Sequence, residues 1–270
     1  MKNLTMFCLT LEPSHLDFIK KLNYIPVGLG EKKFSNEWLT DKIGENISEK
    51  NKNYGEYTFH YWLWKNYLDK IGNNWIGFCQ YRKFWIKEQN KINIKKMSDL
   101  NNIVIAEISS DIEKYESIIG EPFFVNQFRF SKFIKRNLFT MLKNPSLFFD
   151  KSKRNLKFHF DMWHGNGNLD KAINLLDSPD KEDFKSFMNN NVSFNPHNMF
   201  ICKSKKILKN YYDSLFPWLE RCEKEFGFEL SGYGLKRIYG FLAERYMSYW
   251  FKKYTNYKLM PILFKDLSDF

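Results

Sequence analysis

Four polar or basic residues follow a short apolar segment in the first third of the chain. The segment IGFC, residues 76–79, has the composition of a buried strand, and it is followed directly by Gln80, Tyr81, Arg82 and Lys83. Side chains at the carboxyl end of a strand in an α/β sheet face the crevice in which ligands bind. Arg82 and Lys83 could neutralise a diphosphate there without a metal, while Tyr81 stacks on a base or a sugar. The alternative interpretation is an exposed basic turn capped by Tyr81.

The common catalytic and nucleotide-binding motifs are missing from the sequence. It contains no GxGxxG, GxxxxGK[ST], HExxH or GxSxG pattern, which removes support for a dinucleotide fingerprint, a P-loop, a zincin and a nucleophile elbow. The histidines show no metal-ligand spacing, and we expect each of them to be structural or on the surface rather than bound to a metal: His15, His60, His159, His164 and His197.

The chain is basic and rich in aromatic side chains. Lys and Arg outnumber Asp and Glu by 42 to 31, which gives a formal net charge of +11, and aromatic residues make up 19% of the sequence. The charge favours an acidic partner: a nucleic acid, an anionic lipid or a phosphorylated small molecule. The aromatic content exceeds what a core needs, so some of these rings should face a ligand, a membrane surface or a partner.

Cysteine usage and the first residues indicate a cellular compartment. The four cysteines are far apart, without a CxxC pair, and suit reduced thiols in the core of a protein from a reducing compartment. The segment 1–15 lacks a long apolar run, and no segment approaches the roughly 18 uninterrupted apolar residues of a membrane span. We therefore expect a cytoplasmic protein, soluble or peripheral at the inner face of the membrane.

Apolar segments alternate with helical patterns over the first hundred or so residues, which predicts an α/β sheet. We expect strands at 4–10, 75–79, 102–109 and 197–203. The glycines of YIPVGLG, 24–30, could let the backbone approach a ligand, but the preferred interpretation of this segment is an ordinary turn.

Helical patterns fill much of the remaining chain. A helix is predicted from Asn53, where Glu56 stands at the position of a capping-box partner. Two further helices are predicted around 208–218 and 238–251, where apolar and aromatic residues recur at helical spacing.

The stretch 128–160 differs in composition from its surroundings. It holds nine Lys or Arg, eight Phe and a single acidic residue, Asp150. This composition suits a surface that lies against anionic lipid headgroups. A solvated basic helix pair whose Phe side chains point into the core explains it equally well.

Four segments resemble, in order and spacing, a bacterial family known as domain of unknown function 4422. They are GENISEKNKNYGEYTFHYWLWKN (44–66), WIGFCQYRKFW (75–85), HNMFICKSKKILKNYYDSLFPWL (197–219) and RIYGFLAERYMSYWF (237–251). The resemblance implies a glycosyltransferase of the GT-A type from capsule, exopolysaccharide or lipopolysaccharide synthesis, with galactofuranosyl transfer from a UDP-linked donor.

Two residues depart from the family pattern. Gln80 stands where the family usually has His, and Lys83 stands where it has a second Arg. These departures leave the donor and the acceptor open.

The resemblance also implies a domain organisation. We expect a single GT-A-like, Rossmann-like α/β domain over 1–270, with a helical, basic, Phe-rich insertion. Residues 1–110 would form the nucleotide-sugar-binding half, 111–190 the insertion and acceptor region, and 191–270 the acceptor and catalytic half.

The resemblance places the turn after IGFC where other GT-A enzymes have their metal-binding motif. Arg82, helped by Lys83, would then hold the donor diphosphate. The full set of predicted donor contacts is Gln80, Tyr81, Arg82, Lys83, Arg245 and Asn46. The predicted acceptor contacts are His164, Asn198 and Trp62, because aromatic and Asn side chains offer stacking faces and hydrogen bonds to a sugar.

A metal site is only weakly indicated. No two aspartates stand at positions i and i+2, so the Asp-x-Asp motif with which many nucleotide-sugar transferases hold a divalent ion is absent. The nearest substitute is Asp111-Ile112-Glu113. We leave dependence on Mn²⁺ or Mg²⁺ open.

An inverting transferase needs a carboxylate that deprotonates the acceptor hydroxyl. The candidates are Glu244, Asp161, Asp170 and Glu56. Glu56 has a structural explanation in the capping box, and Asp170 has one as a helix cap, so we expect Glu244, with Asp161 second. Arg245 would pair with Glu244 or reach the phosphates, and the alternative role of Glu244 is only to orient Arg245.

Two other classes of protein fit parts of the sequence. Basic charge interleaved with aromatic rings is also typical of proteins that bind single-stranded nucleic acid. A membrane-docked, non-catalytic scaffold with a degenerate transferase fold is the other alternative. Our prediction is a UDP-sugar donor, a lipid-linked or oligosaccharide acceptor and an anionic membrane surface as partners, and no nucleic acid.

Overall fold

The structure is a computed structural model of the 270-residue chain. It describes residues 3–72, 74–87, 94–127, 150–177 and 179–270. Within these ranges, nine strands form one mixed sheet and two short strands form a separate ribbon.

The central sheet runs in the order β10-β6-β9-β4-β1-β2-β3, and β5 continues from β4 to pair with β11. Its strands are β1 Leu4–Thr10, β2 Ile25–Gly28, β3 Leu39–Thr40, β4 Trp75–Gln80, β5 Lys83–Trp85, β6 Ser117–Gly120, β9 Phe200–Cys202, β10 Tyr257–Met260 and β11 Ile262–Phe264. The ribbon consists of β7 Phe123–Phe124 and β8 Ser193–Phe194. Strands β3, β2, β1 and β4 are mutually parallel, whereas β9 runs antiparallel to both of its neighbours.

Helices pack on both faces of this sheet. They are α1 Leu16–Lys21, α2 Asn51–Tyr54, α3 Tyr57–Trp62, α4 Met97–Ile103, α5 Leu156–His164, α6 Asn168–Asn174, α7 Asp180–Asn190, α8 Lys205–Phe226, α9 Tyr233–Lys236 and α10 Ile238–Tyr254. A π-helical turn, Leu63–Tyr67, continues α3. None of the helices in the described ranges combines the length and apolarity needed to cross a membrane.

Two hydrophobic cores lie on opposite faces of the sheet. Phe7 and Leu9 of β1 enter the larger core with side chains of α3, α8 and α10, whereas Met6 and Cys8 enter the smaller core with side chains of α1 and α4. Successive strand residues point to opposite faces, so a central strand covered on both sides is apolar throughout. This explains the unbroken apolar runs of β1 and β4.

The sequence-based predictions of β1, β4, β9 and α10 are confirmed within three residues at each end. The helix α8 is also confirmed, but it continues eight residues beyond the predicted end. All four cysteines are buried and free, which confirms the prediction of core thiols. Of the basic stretch 128–160, 128–149 lie outside the described residues, and 151–160 form a 3-10 turn and most of α5. Leu156 and Phe160 are buried in the larger core, so in this part the lipid-facing interpretation is wrong for these two side chains and the alternative, apolar side chains that point into the core, is confirmed.

Two predicted elements are wrong. The expected strand 102–109 is the end of α4 followed by irregular chain, with one isolated bridge between Val104 and Ile86. Asp99, in the first turn of this helix, accepts the backbone N–H groups of Lys95 and Lys96, and this capping contact favours the helix over the β propensity of the short run that follows. The segment 24–30, expected to be a turn, contains β2, because pairing with β1 satisfies its backbone.

The predicted capping box at Glu56 is also wrong. The helix begins at Asn51 and is broken at Gly55, and the side chain of Glu56 caps nothing. The Asn53 side chain donates instead to the carbonyl of Lys236, 2.8 Å away. The carboxylate of Glu56 is therefore free to face another part of the molecule.

Candidate functional site

A cleft of about 390 Å³ opens at the carboxyl edge of the parallel strands. Thr10 ends β1, Leu29 follows β2 and Gln80 ends β4, and all three line the cleft. Because β9 is antiparallel to β4, its leading residues His197 and Asn198 lie at the same edge. The site is thus built where the crevice of an open α/β sheet is expected.

The wall opposite the strands comes from α10 and from the break between α2 and α3. Gly55 has φ of +60°, and a Cβ there would lie 2.2 Å from Nη2 of Arg237. At Gly240 a Cβ would lie 3.2 Å from the carbonyl oxygen of Tyr54. Both glycines therefore permit the close approach of α10 to α2, and the break turns Glu56 toward the cleft.

Positive charge predominates in the cleft. Four basic and two acidic side chains line it: Lys52, Arg82, Lys83, Arg237, Glu56 and Glu244. The Arg82 side chain is exposed and lies 5.4 Å from the centre of the Tyr81 ring. Within the described residues, no carboxylate forms an ion pair with Arg82, so its charge is available to an anion.

Glu56 is the hub of a hydrogen-bond network across the cleft. Its Oε1 accepts from Nε2 of Gln80 at 3.2 Å and from Nδ2 of Asn198 at 2.9 Å. Its Oε2 lies 3.5 Å from Nη2 of Arg237. Nζ of Lys83 donates to Oε1 of Gln80 at 3.1 Å, which ties the basic turn after β4 to the same network.

Glu244 is engaged differently. Its Oε1 accepts the backbone N–H of His197 at 2.7 Å, and its Oε2 pairs with Arg245. The Arg245 side chain is only 2% exposed, and its guanidinium carbon lies 3.6 Å from the centre of the Phe194 ring. Glu244 therefore joins a buried cation to the backbone that carries Asn198.

The His197–Asn198 turn has an unusual backbone. His197 has φ of 82° and Asn198 has φ of 53°, in the left-handed region that non-glycine residues rarely occupy. Such a conformation persists only where surrounding bonds hold it. Two hydrogen bonds hold it: the N–H of His197 donates to Glu244, and Nε2 of Gln80 donates to the carbonyl of His197 at 3.1 Å.

Burial affects the pKa of one basic group in the cleft, that of Lys83. It lowers the pKa of Lys83, and Arg82 and Arg237 lower it further, while Glu56 and Glu244 act in the opposite direction. The Lys83 ammonium is thus a partly desolvated cation that an anionic ligand would stabilise.

Two histidines near the cleft are neutral at pH 7. Burial, together with Lys83, lowers the pKa of His197 to about 4. Burial and the charge of Arg245 lower the pKa of His164 to about 3, against the opposing effect of its bond to Gly234. Neither imidazole supplies positive charge to a ligand at pH 7.

The cleft brings together six of the residues proposed from the sequence: Gln80, Tyr81, Arg82, Lys83, Asn198 and Glu244. Arg245 lies directly behind Glu244. His164 is also behind the wall, because it is 4% exposed and stacks at 4.2 Å on Phe241, which lines the cleft.

Three proposed residues lie outside the cleft. Asn46 bonds within its own loop, donating to the carbonyl of Gly44. Trp62 is 6% exposed and belongs to the larger core. Asp161 pairs with Lys157 on α5, and burial raises its pKa. The structure gives these three no contact with the cleft.

Sequence reasoning missed several residues that line the cleft: Lys52, His197, Tyr233 and Arg237. Glu56 was considered and set aside as a helix cap. The available signal was the Gly55-Glu56 pair inside an otherwise helical pattern, since a glycine there indicates a break that re-aims the next side chain.

The charged residues of the cleft do not fit a divalent metal. Both carboxylates are engaged by arginines, and four cations surround them. Across the described ranges, no group of three His, Cys, Asp or Glu side chains could hold a metal ion. Asp111 and Glu113 pair with Lys258 and Lys203 instead. The cleft suits an anion.

Comparison with known proteins agrees with this architecture. The fold is similar to that of a bifunctional glycosyltransferase, WbbM, solved in its apo form: the TM-score is 0.64 over 97% of this chain, at 18% sequence identity. The match covers 45% of the WbbM chain, so this protein spans under half of that length. No curated protein matches the sequence.

The family assignment follows from the sequence profile. The profile of the domain of unknown function DUF4422 matches residues 11–256. The chain therefore belongs to this family, as the four segments indicated.

Proposed function

We propose that the protein is a glycosyltransferase that moves a sugar from a UDP-linked donor to a hydroxyl group of a glycan acceptor. The observation that carries the proposal is the cleft itself: four cations and two carboxylates at the carboxyl edge of a sheet whose fold is shared with a glycosyltransferase. The family resemblance favours galactofuranose as the sugar and surface polysaccharide as the product.

The basic side chains of the cleft suit the diphosphate leaving group of the donor. Arg82 is exposed and has no carboxylate partner among the described residues, and Lys83 is held beside it by Gln80. In our proposal these two side chains bind the diphosphate and stabilise the charge that develops on it as the glycosidic bond breaks. Side-chain cations would thus do what a divalent ion does in many transferases.

We further propose that transfer inverts the anomeric configuration. The acceptor hydroxyl would attack the anomeric carbon on the face opposite the diphosphate, while a carboxylate of the cleft removes its proton. A lipid-linked acceptor would bring the protein to an anionic membrane surface, and the basic stretch 128–160 is the part of the sequence that suits such contact.

Ligand-induced thermal stabilisation tests the proposal. UDP and UDP-sugars should raise the melting temperature, because a ligand that binds only the folded state stabilises it by RT ln(1 + [L]/Kd). GDP, CMP and dTDP sugars serve as comparisons for the base, and Mn²⁺ is added or omitted. Tight, salt-sensitive binding of short DNA without any response to UDP would replace the transferase with a nucleic-acid-binding function.

A further inference from the structure

We propose that Glu56, and not Glu244, accepts the proton of the acceptor hydroxyl, and that Glu244 is a positioning residue for the His197–Asn198 turn. The inference rests on the proposed glycosyl transfer and concerns the same cleft. It reverses the preference that the sequence alone supported.

Glu244 is occupied by two structural contacts. One oxygen accepts the N–H of His197 at 2.7 Å, and the other pairs with the guanidinium of Arg245. The Arg245 side chain is only 2% exposed, so a proton on Glu244 would leave a buried cation without its counter-charge. Both oxygens of Glu244 therefore hold structural partners, one of them a buried cation.

Glu56 is held by a different set of partners, none of which is a buried cation. Its Oε1 is held by two neutral amides, from Gln80 and Asn198, which fix the carboxylate without adding positive charge. Its Oε2 has Arg237 at 3.5 Å, the limit of a hydrogen bond, and the Arg237 side chain is 34% exposed. Water would solvate that guanidinium once Glu56 became neutral.

Glu244 positions Glu56 indirectly, through the backbone of the His197–Asn198 turn. Its bond to the N–H of His197 holds the left-handed turn, and the turn aims Nδ2 of Asn198 at Glu56. The amide of Asn198 must present its nitrogen to Glu56, because its oxygen would repel the carboxylate. Gln80 completes the arrangement by donating both to Glu56 and to the carbonyl of His197.

Transfer exchanges one bond of the anomeric carbon for another. The acceptor oxygen forms a bond to the anomeric carbon while the bond from that carbon to the diphosphate oxygen breaks. The electron pair of the broken bond leaves with UDP, whose charge is taken up by Arg82 and Lys83. The acceptor proton moves to Oε2 of Glu56.

Isosteric variants separate the two roles. We would measure UDP affinity, and UDP release from UDP-galactofuranose with water or octyl galactoside as acceptor, for Glu56→Gln, Glu244→Gln and the exposed control Glu225→Gln. Glu56→Gln should lose at least about 100-fold in UDP release with its UDP affinity within about threefold of wild type, as expected when a general base is removed. It should also lose the acidic limb of the pH profile, which Glu244→Gln should retain.

Chemical rescue gives a second criterion that a structural role would not meet. Formate should restore UDP release to Glu56→Ala, because it supplies a carboxylate in the vacated space, and should not restore it to Glu244→Ala. Rescue of Glu244→Ala alone, or loss of UDP binding in Glu56→Gln, would overturn the assignment. The Glu56 variants decide the matter even if Glu244→Ala does not fold. A wild-type protein that binds no UDP would instead refute the proposed function.

Discussion

The carboxylate of Glu244 accepts the backbone N–H of His197 at 2.7 Å, across 47 positions of sequence. This contact joins α10 to the residues that lead into β9, where the backbone of His197 has φ of 82°. The same carboxylate neutralises Arg245, which is buried behind the cleft. One side chain thus supports the backbone of the site and the charge balance beneath it.

Removal of the Glu244 carboxylate should strongly destabilise the fold. Glu244→Ala leaves Arg245 buried and unpaired, a change that typically costs about 3–5 kcal/mol. The free energy of unfolding, from urea titration, measures the loss. In the double variant Glu244→Leu, Arg245→Met, most of this loss should be recovered, because no buried charge remains. A single variant as stable as wild type would contradict the importance of the pair.

Arg82 should contribute to donor binding and little to stability. Its side chain is exposed and belongs to no ion pair among the described residues, so Arg82→Ala should leave the melting temperature within about 2 °C of wild type. The same change should weaken UDP binding at least about tenfold, since charge-assisted bonds to phosphate are lost. Titration calorimetry measures the affinity, and Lys206→Ala, exposed outside the cleft, is the charge-matched control. Equal UDP affinity in the two variants would show that Arg82 does not contact the donor.

Stability should fall on mild acidification. Burial lowers the pKa of His60 to about 3, and burial with the charge of Arg245 lowers that of His164 to about 3. Between pH 7 and pH 5 the unfolded chain binds protons at these histidines while the folded chain does not, so the unfolded state gains stability as the pH falls. Each histidine should contribute about 2 kcal/mol of loss over this window.

Urea titrations at pH 7 and pH 5 measure this loss, and His164→Gln provides the comparison. Glutamine retains a donor for the carbonyl of Gly234, with which His164 interacts, but it cannot take up a proton. Between pH 7 and pH 5, the free energy of unfolding of the variant should fall less than that of wild type, by the contribution of one histidine. An unchanged dependence would mean that His164 is accessible to protons in the folded state.

The basic stretch 128–160 should bind anionic membranes. The stretch holds nine basic residues and one acidic residue, but Arg154 is buried and Lys157 pairs with Asp161 and Asp170. Each well-placed Lys or Arg among the rest could contribute about 1 kcal/mol. The protein should sediment with vesicles that contain anionic lipid, be released by high salt and ignore neutral vesicles, because screening removes the Coulomb attraction. Replacing Lys132, Lys135, Arg136 and Lys143 with Ser should weaken sedimentation and leave UDP binding unchanged. A wild-type protein that ignores anionic vesicles at low salt would contradict the membrane role of the stretch.

The sequence by itself determined the central strands, the long helices and the basic turn of the site. The runs LTMFCLT and WIGFCQ are apolar on both faces, and only a strand covered by two cores needs such a pattern. The periodicity of α8 and α10 is likewise local information. Because Arg82 and Lys83 come directly after a predicted strand, their position at the sheet edge also followed from the order of residues.

Only the tertiary structure decided which carboxylate faces the cleft and which supports it. Glu56 meets Asn198 across 142 positions and Arg237 across 181 positions, so no local pattern could pair them. In the local sequence, Glu56 fits a helix cap as well as it fits a site residue. In the structure, the helix breaks at Gly55, where φ is +60°, and Glu56 faces Arg237. Glu244 and Arg245 are neighbours in sequence, but the burial of Arg245 is a property of the packed core. Glu56 and Glu244 have different roles because burial and distant partners set the energy of each charge. Burial and distant contacts arise only when the chain folds.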